Sequence, residues 1–385
     1  MTRKSRILAA VILVPVSYTH LDVYKRQVEQ YNLDIQRQLP AGFFADVAYA
    51  GSHGVHLEQY NTDINQIPDS FLSQTTALTT PITNPLVGSP YSGLNGLTIP
   101  AGQLDRPYPE YNNISLAGYG CCSSTYNSLQ ATVTRRFQGG GTLLAAYTNS
   151  KLLSNTDTLT SWLEGGSSGT GGVGGVQDWN NLAGEKSLSS QDVSQRLVIS
   201  YVLDLPFGHG KAYLAGMTGI ADKVVSGWGV DGITTFQRGF PLKISYSGST
   251  PAEAANLGIA NVRPDVVPGC DKKSNGGTVA QWFNTSCFLT PPDWGFGDES
   301  RVDSVLRGDG AKNFDFAIFK RTTIAERVGV EFRTEFFNLF NHPQFGIPGE
   351  GFNGTPTGSG NNGFGVVNNT YGNPRLIQFA MKIEF

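Results

Sequence analysis

Apolar and polar positions alternate with a two-residue period over much of this chain. In the closing stretch "NPRLIQFAMKIEF", Ile377, Phe379, Met381, Ile383 and Phe385 are apolar, while Gln378, Lys382 and Glu384 are polar. Leu376 and Ala380 depart from the rule. Alternation of this kind gives a strand one oily face and one wet face. Further upstream the apolar sets are Tyr31, Leu33, Ile35 with Arg37, then Ala45, Val47, Tyr49. Leu129, Ala131, Val133 with Arg135 and Phe137 follow, and then Leu143, Ala145, Tyr147. Leu197, Ile199, Tyr201, Leu203 precede Trp228, Val230, Gly232, Thr234, Phe236. Two more sets are Phe314, Phe316, Ile318 with Lys320, and Val328, Val330, Phe332, Thr334, Phe336. The pattern predicts about nine strands, each near the ~9–11 residues that cross a bilayer at a tilt.

The connections alternate in length. Short turns ("LPAGF", "QGGG", "TIAE") and one medium turn at 205–226 take turns with long polar loops at about 53–123, 153–191, 247–311 and 341–371. A soluble sandwich prefers short connections at both ends, with a median of about 4–6 residues. Short turns on one side and long loops on the other predict an all-β fold: an antiparallel transmembrane β-barrel with long extracellular loops. Charge placement agrees. Arg37, Arg135 and Lys320 fall on apolar faces, each at a strand end beside a short turn. A cation on the lipid face costs about 2–4 kcal/mol at mid-membrane and about 0–1 at the interface, where its stem can snorkel.

Composition fits: 15% of residues are charged, against about 25% in soluble domains. Gly is abundant at 47 residues, and stretches suited to long helices are missing. The net charge of −3 leaves no basic stripe for nucleic acid. Near the start, "ILAAVILVPV" (Ile7 to Val16) follows Arg3, Lys4 and Arg6 like a secretory signal, but no cleavage site follows. The next stretch, "VSYTHLDVYKRQ", resembles translated linker sequence. Residues 1–27 are therefore set aside as a signal-like or foreign segment, and 28–385 carry the fold.

Several stretches resemble TonB-dependent outer-membrane receptors, in the subgroup with an N-terminal carboxypeptidase-regulatory-like domain. They are "VAYAGSHGVHL" (Val47 to Leu57), "YNSLQATVTRRF" (Tyr126 to Phe137), "QRLVISYVLDLPFG" (Gln195 to Gly208), "GWGVDGITTFQRGFPL" (Gly227 to Leu242) and "EFRTEFFNLFNHPQFG" (Glu331 to Gly346). The resemblance implies a barrel of about 22 strands with a plugged lumen. It also implies uptake of an unidentified substrate with energy relayed by TonB, through a plug domain this chain does not show. A terminal strand ending in Phe is the barrel-assembly signal of such proteins, so Phe385 is expected to address the assembly machinery, with outer-membrane lipid as the surroundings. Strand parity reaches a related expectation. The last strand ends on the short-turn side, and so does the strand at 28–39. Barrels begin upward and have even strand numbers, which places an odd number ahead of Val28. The chain is then expected to be the C-terminal part of a longer barrel, and by itself no stable closed pore, because open edges leave backbone groups unpaired in lipid.

No paired carboxylates, Ser/His/Asp set or Cys/His set has spacing that picks out catalysis, so no enzyme, cofactor or metal site is expected. "GTGGVG" (Gly169 to Gly174) and "GGSSG" (Gly165 to Gly169) match phosphate-loop and nucleophile-elbow patterns, but lack the flanking strand and helix. Cys270 and Cys287 flank "DKKSNGGTVAQWFNTS" within a long loop. A disulfide between them is expected, bracing the loop by roughly 3 kcal/mol. Cys121 and Cys122 are unassigned. Glu331, Arg333 and Glu335 alternate with an apolar set and are expected to face the lumen. They either contact a plug or substrate, or form a wet wall in which Arg333 bridges the two carboxylates; the wall is preferred. His53, His56 and His342 are expected to be solvated, and the phenylalanines of "EFFNLFNHPQF" to form an interfacial girdle. The competing function is a surface adhesin or structural barrel without transport.

Overall fold

The computed structural model describes residues 26–59, 62–88, 94–116, 119–156, 175–325, 328–355 and 363–385, with the backbone of a short strand at Ala9–Val11. The Gly165–Gly174 motifs lie outside the described residues. Nine long strands form one antiparallel sheet: β1 (Gln27–Gln38), β2 (Phe43–Gln59), β3 (Tyr119–Arg136), β4 (Gly141–Ser154), β5 (Gln195–Asp204), β6 (Trp228–Gln237), β7 (Ala311–Ala325), β8 (Val328–Phe337) and β9 (Leu376–Glu384). Each pairs with its neighbour in sequence, so the sheet is a simple meander. Among the described residues it is open: β9 pairs with β8 alone, and the far side of β1 carries the Ala9–Val11 strand, with Ala10 opposite Asp34.

Register joins the alternating sets into continuous faces. Residues directly opposite on antiparallel strands point the same way. Ala45 lies opposite Val133, Val133 opposite Ala145, Ala145 opposite Ile199, Ile199 opposite Thr234, and Thr234 opposite Phe314. Phe316 faces Phe336, which faces Ile377. The apolar face thus runs unbroken from β1 to β9, and it is open to the surroundings: Leu33, Ile35, Val47, Leu129, Phe332 and Met381 are all exposed. A contiguous apolar surface of this extent is tolerated in lipid but not in water. Arg135 on this face stacks its guanidinium over Phe43 and Phe137, 4.7 and 4.6 Å from the ring centroids, beside the β3–β4 turn. Lys320 lies 5.6 Å over Trp228 at the start of β6.

Turn geometry explains the short connections. Ala41 and Gly42 close β1–β2 with φ of 60° and 76°. At β3–β4 the requirement for glycine is steric: a Cβ on Gly141 (φ +114°) would stand 2.3 Å from the Val202 carbonyl oxygen. The medium turn contains a short helix, α1 (Gly219–Val225). At the other end, β2 and β3 reach 17 and 18 residues, well beyond a membrane crossing. Their register slips between Gly54 and Glu58, where His56 has φ 55°, so a bulge bends the pair as it leaves the sheet.

The long loops are not the loose polar connections their composition suggests. Apart from Cys122, Ala317 and Phe319, every buried apolar residue among those described lies in a connection. Ile67, Leu72 and Leu78 from the first long loop pack with Ala252, Leu257 and Val262 from the third. Leu242, Phe283 and Phe288 pack with Phe352 and Phe364 from the last. Buried charges are paired across loops: Arg263 forks onto Glu185 at 2.8 and 3.2 Å, and Lys272 bonds Glu299 and Asp303 at 2.5 and 2.6 Å. Burial opposes the charge on Lys272, but its two carboxylates outweigh this and raise its pKa. The long connections therefore form a cap with two buried apolar clusters of its own.

Candidate functional site

The polar face of the sheet and the underside of the cap enclose the features with chemical potential. On β8, Arg333 donates from Nε to Glu335 at 2.6 Å and from Nη2 to Asp231 of β6 at 2.7 Å. It bridges two carboxylates, as a wet wall requires, but the second is Asp231 and not Glu331. Glu331 accepts instead from Arg321 Nε at 2.7 Å. Between them Phe319 is 1% exposed, with Arg321 4.5 Å and Arg333 5.9 Å from its ring centroid. Gly229 makes room for that ring, since a Cβ there would stand 2.1 Å from it.

Where β8 leaves the sheet, Asn338 and Asn341 take left-handed conformations (φ 51° and 52°) that Asn tolerates better than most residues. They turn the chain sharply and open a cavity of about 810 Å³ at the long-loop end of the polar face. Asn313 and Asp315 of β7, Phe337 of β8 and Leu376 of β9 form its floor; His342, Gln344, Tyr371 and Asn373 of the last loop form its rim. The frame is held by Asn338, whose N–H donates to Asp315 Oδ1 at 3.0 Å and whose Oδ1 accepts from the His342 N–H at 2.9 Å. The side chains of Gln344, Tyr371 and Asn373 make no hydrogen bond among the described residues, and His342 Nδ1 is shielded without a partner. Asp315 is the carboxylate in the lining, with His342 and Tyr371 as its other ionisable side chains. Such a lining suits an uncharged ligand rich in donors and acceptors. Sequence reasoning missed this site because its members come from three strands and a loop; the available signal is the Asn and His residues within "EFFNLFNHPQF", beside its phenylalanines.

Of the other residues singled out from sequence, Cys270 and Cys287 are disulfide-bonded with Cα atoms 5.6 Å apart, and Cys287 is fully buried in the cap. Cys121 and Cys122 are thiols. His53 is half-buried, its Nδ1 3.1 Å from Thr125 Oγ1. Phe385 follows the end of β9 and is fully exposed.

Residues 7–378 match the family model described as an outer membrane beta barrel domain. The chain belongs to this family. It is a partial antiparallel transmembrane β-barrel of the bacterial outer membrane, its apolar face turned to lipid and its polar face to the lumen. The match begins within the segment set aside on sequence grounds. No curated protein matches the chain. Among solved structures it is similar to FpvA from P. aeruginosa, determined with heterologous pyoverdines, at 11% identity and a TM-score of 0.35, over 93% of this chain and 27% of that one. It is also similar to the outer membrane transporter YddB from Escherichia coli, at 8% identity and a TM-score of 0.41, over 95% of this chain and 34% of that one. The barrel thus spans about a third or less of the length of either structure.

Proposed function

We propose that this barrel is part of a TonB-dependent outer-membrane receptor, in the subgroup with an N-terminal carboxypeptidase-regulatory-like domain, and that it takes up an uncharged, hydrogen-bonding solute such as a sugar or peptide. The cavity at the lumenal mouth supports this reading, with Gln344, Tyr371, Asn373 and His342 Nδ1 presenting hydrogen-bonding groups that have no partner among the described residues. The Arg333–Asp231–Glu335 wall below it is polar enough to pass such a solute. TonB, acting through a plug, would supply the energy, and the assembly machinery would recognise the end of β9. The test is accumulation of labelled oligosaccharides or peptides by cells expressing the full-length gene, with and without an uncoupler of the inner-membrane proton gradient. Energy-dependent accumulation lowered by Tyr371→Ala and Gln344→Ala is expected. Attachment to the cell surface without accumulation would mean an adhesin instead.

A further inference from the structure

A second cavity, of about 340 Å³, sits at the extracellular ends of β6 and β7, apart from the lumenal one. Its lining includes Arg238, Lys273, Arg307, Lys312, Trp282 and Asp309. Arg307 is already committed: it is ion-paired with Asp192 and donates to the Gly239 carbonyl at 3.1 Å. Asp309 accepts from two backbone N–H groups, those of Gly310 at 2.9 Å and Phe345 at 3.0 Å. Arg238, Lys273 and Lys312 form no ion pair among the described residues. Three cations around one cavity repel one another unless an anion joins them.

The place of these cations says which anion. Lys312 lies directly opposite Phe236, so it stands on the lipid-facing side of the wall. Phe236 packs edge-on against Phe314 at 5.3 Å, and Phe314 against Phe340 at 4.8 Å. This aromatic trio marks the level where hydrocarbon gives way to headgroups. A lysine at that level on that face meets the phosphates of the lipid rather than bulk water. The remaining parts are built in. Lys273 and Trp282 both belong to the loop closed by the Cys270–Cys287 disulfide. Trp282 is fixed by its Nε1–H donating to the Arg307 carbonyl at 2.7 Å and by an edge contact with Phe345 at 6.3 Å.

We propose that this cavity binds the phosphate group of a lipid headgroup, with Arg238, Lys273 and Lys312 as its donors and Trp282 as its wall. The test uses the full-length protein extracted from outer membranes in detergent, titrated with mixed micelles containing phosphatidylglycerol while Trp fluorescence is followed. Trp282→Phe identifies the responding residue. The triple variant R238Q/K273Q/K312Q is expected to bind at least about tenfold more weakly, each lost charge-assisted contact contributing. K223Q, on α1 at the periplasmic side, is expected to bind as the wild type does. Saturation of the same signal by inorganic phosphate alone would support the phosphate site and overturn the headgroup as its source. An unchanged titration in a triple variant that still shows a heat-modifiable band would overturn the site altogether.

Discussion

Arg333 on β8 reaches over the whole of β7 to hold Asp231 on β6 at 2.7 Å. Neighbouring strands in this sheet are already joined by backbone bonds, so a side-chain clasp between strands two apart stiffens the lumen wall where the ladder cannot. Neutralising either partner leaves a half-buried charge with one contact fewer. In full-length protein, Arg333→Gln and Asp231→Asn are each expected to lower stability by about 1–3 kcal/mol. The double variant is expected to lose less than the sum, by about 0.5–3 kcal/mol of coupling. The temperature at which the compact band on cold gels disappears measures this; strictly additive shifts would refute the clasp.

The two faces of β5 make opposite demands. Ile199 lies mid-strand between Ala145 and Thr234 on the lipid side, and Ser200 lies between Leu144 and Ile233 on the other. Ile199→Arg is expected to cost about 2–4 kcal/mol and to reduce the assembled fraction sharply. Ser200→Arg, one residue on, is expected to assemble. Equal yields of the two variants would mean the faces are wrongly assigned.

The Cys270–Cys287 bridge closes a loop that carries both buried Cys287 and the partners of Asn284. Replacing both cysteines by serine is expected to loosen the cap by roughly 3 kcal/mol while the barrel wall stays intact. Limited proteolysis should then cut within 268–290, with no loss of heat-modifiability. Resistance equal to wild type would contradict a bracing role.

Burial raises the pKa of Glu350, against the opposing hydrogen bond from the Lys243 N–H and the Lys243 charge. Burial and then Asp303 raise that of Glu299 in the same cap, against Lys272. A carboxyl whose folded pKa exceeds its unfolded value takes up a proton more readily when folded, so stability rises as pH falls through the window between the two. Cap resistance to protease is therefore expected to gain from these groups on mild acidification from neutral pH. Glu350→Gln keeps an acceptor for Lys243 and is expected to be more resistant at neutral pH, with a shallower pH response. A steeper response in the variant would reverse the assignment.

Much of the wall was legible from residue spacing alone. Leu33 and Ile35, or Val133 and Ala145, announce their faces because each strand meets lipid by itself, and the two-residue period needs no knowledge of distant partners. The rim cations Arg135 and Lys320 were legible for the same reason. Arg333 was readable as a lumen residue but not as the partner of Asp231, which is 102 residues away.

The sequence by itself determined the strands, their order, their two faces and the side on which each connection falls. These follow from local alternation, turn residues and a solvent that penalises every unpaired backbone group. Only the tertiary structure decided that the loops form a cap, because Ile67 with Leu257 and Phe283 with Phe364 are ordinary apolar residues in aperiodic segments. It also decided the two cavities, whose walls combine strand ends with loop residues that no spacing rule links. Periodicity records a residue's contact with its surroundings; the meeting of two loops is recorded nowhere until both have folded.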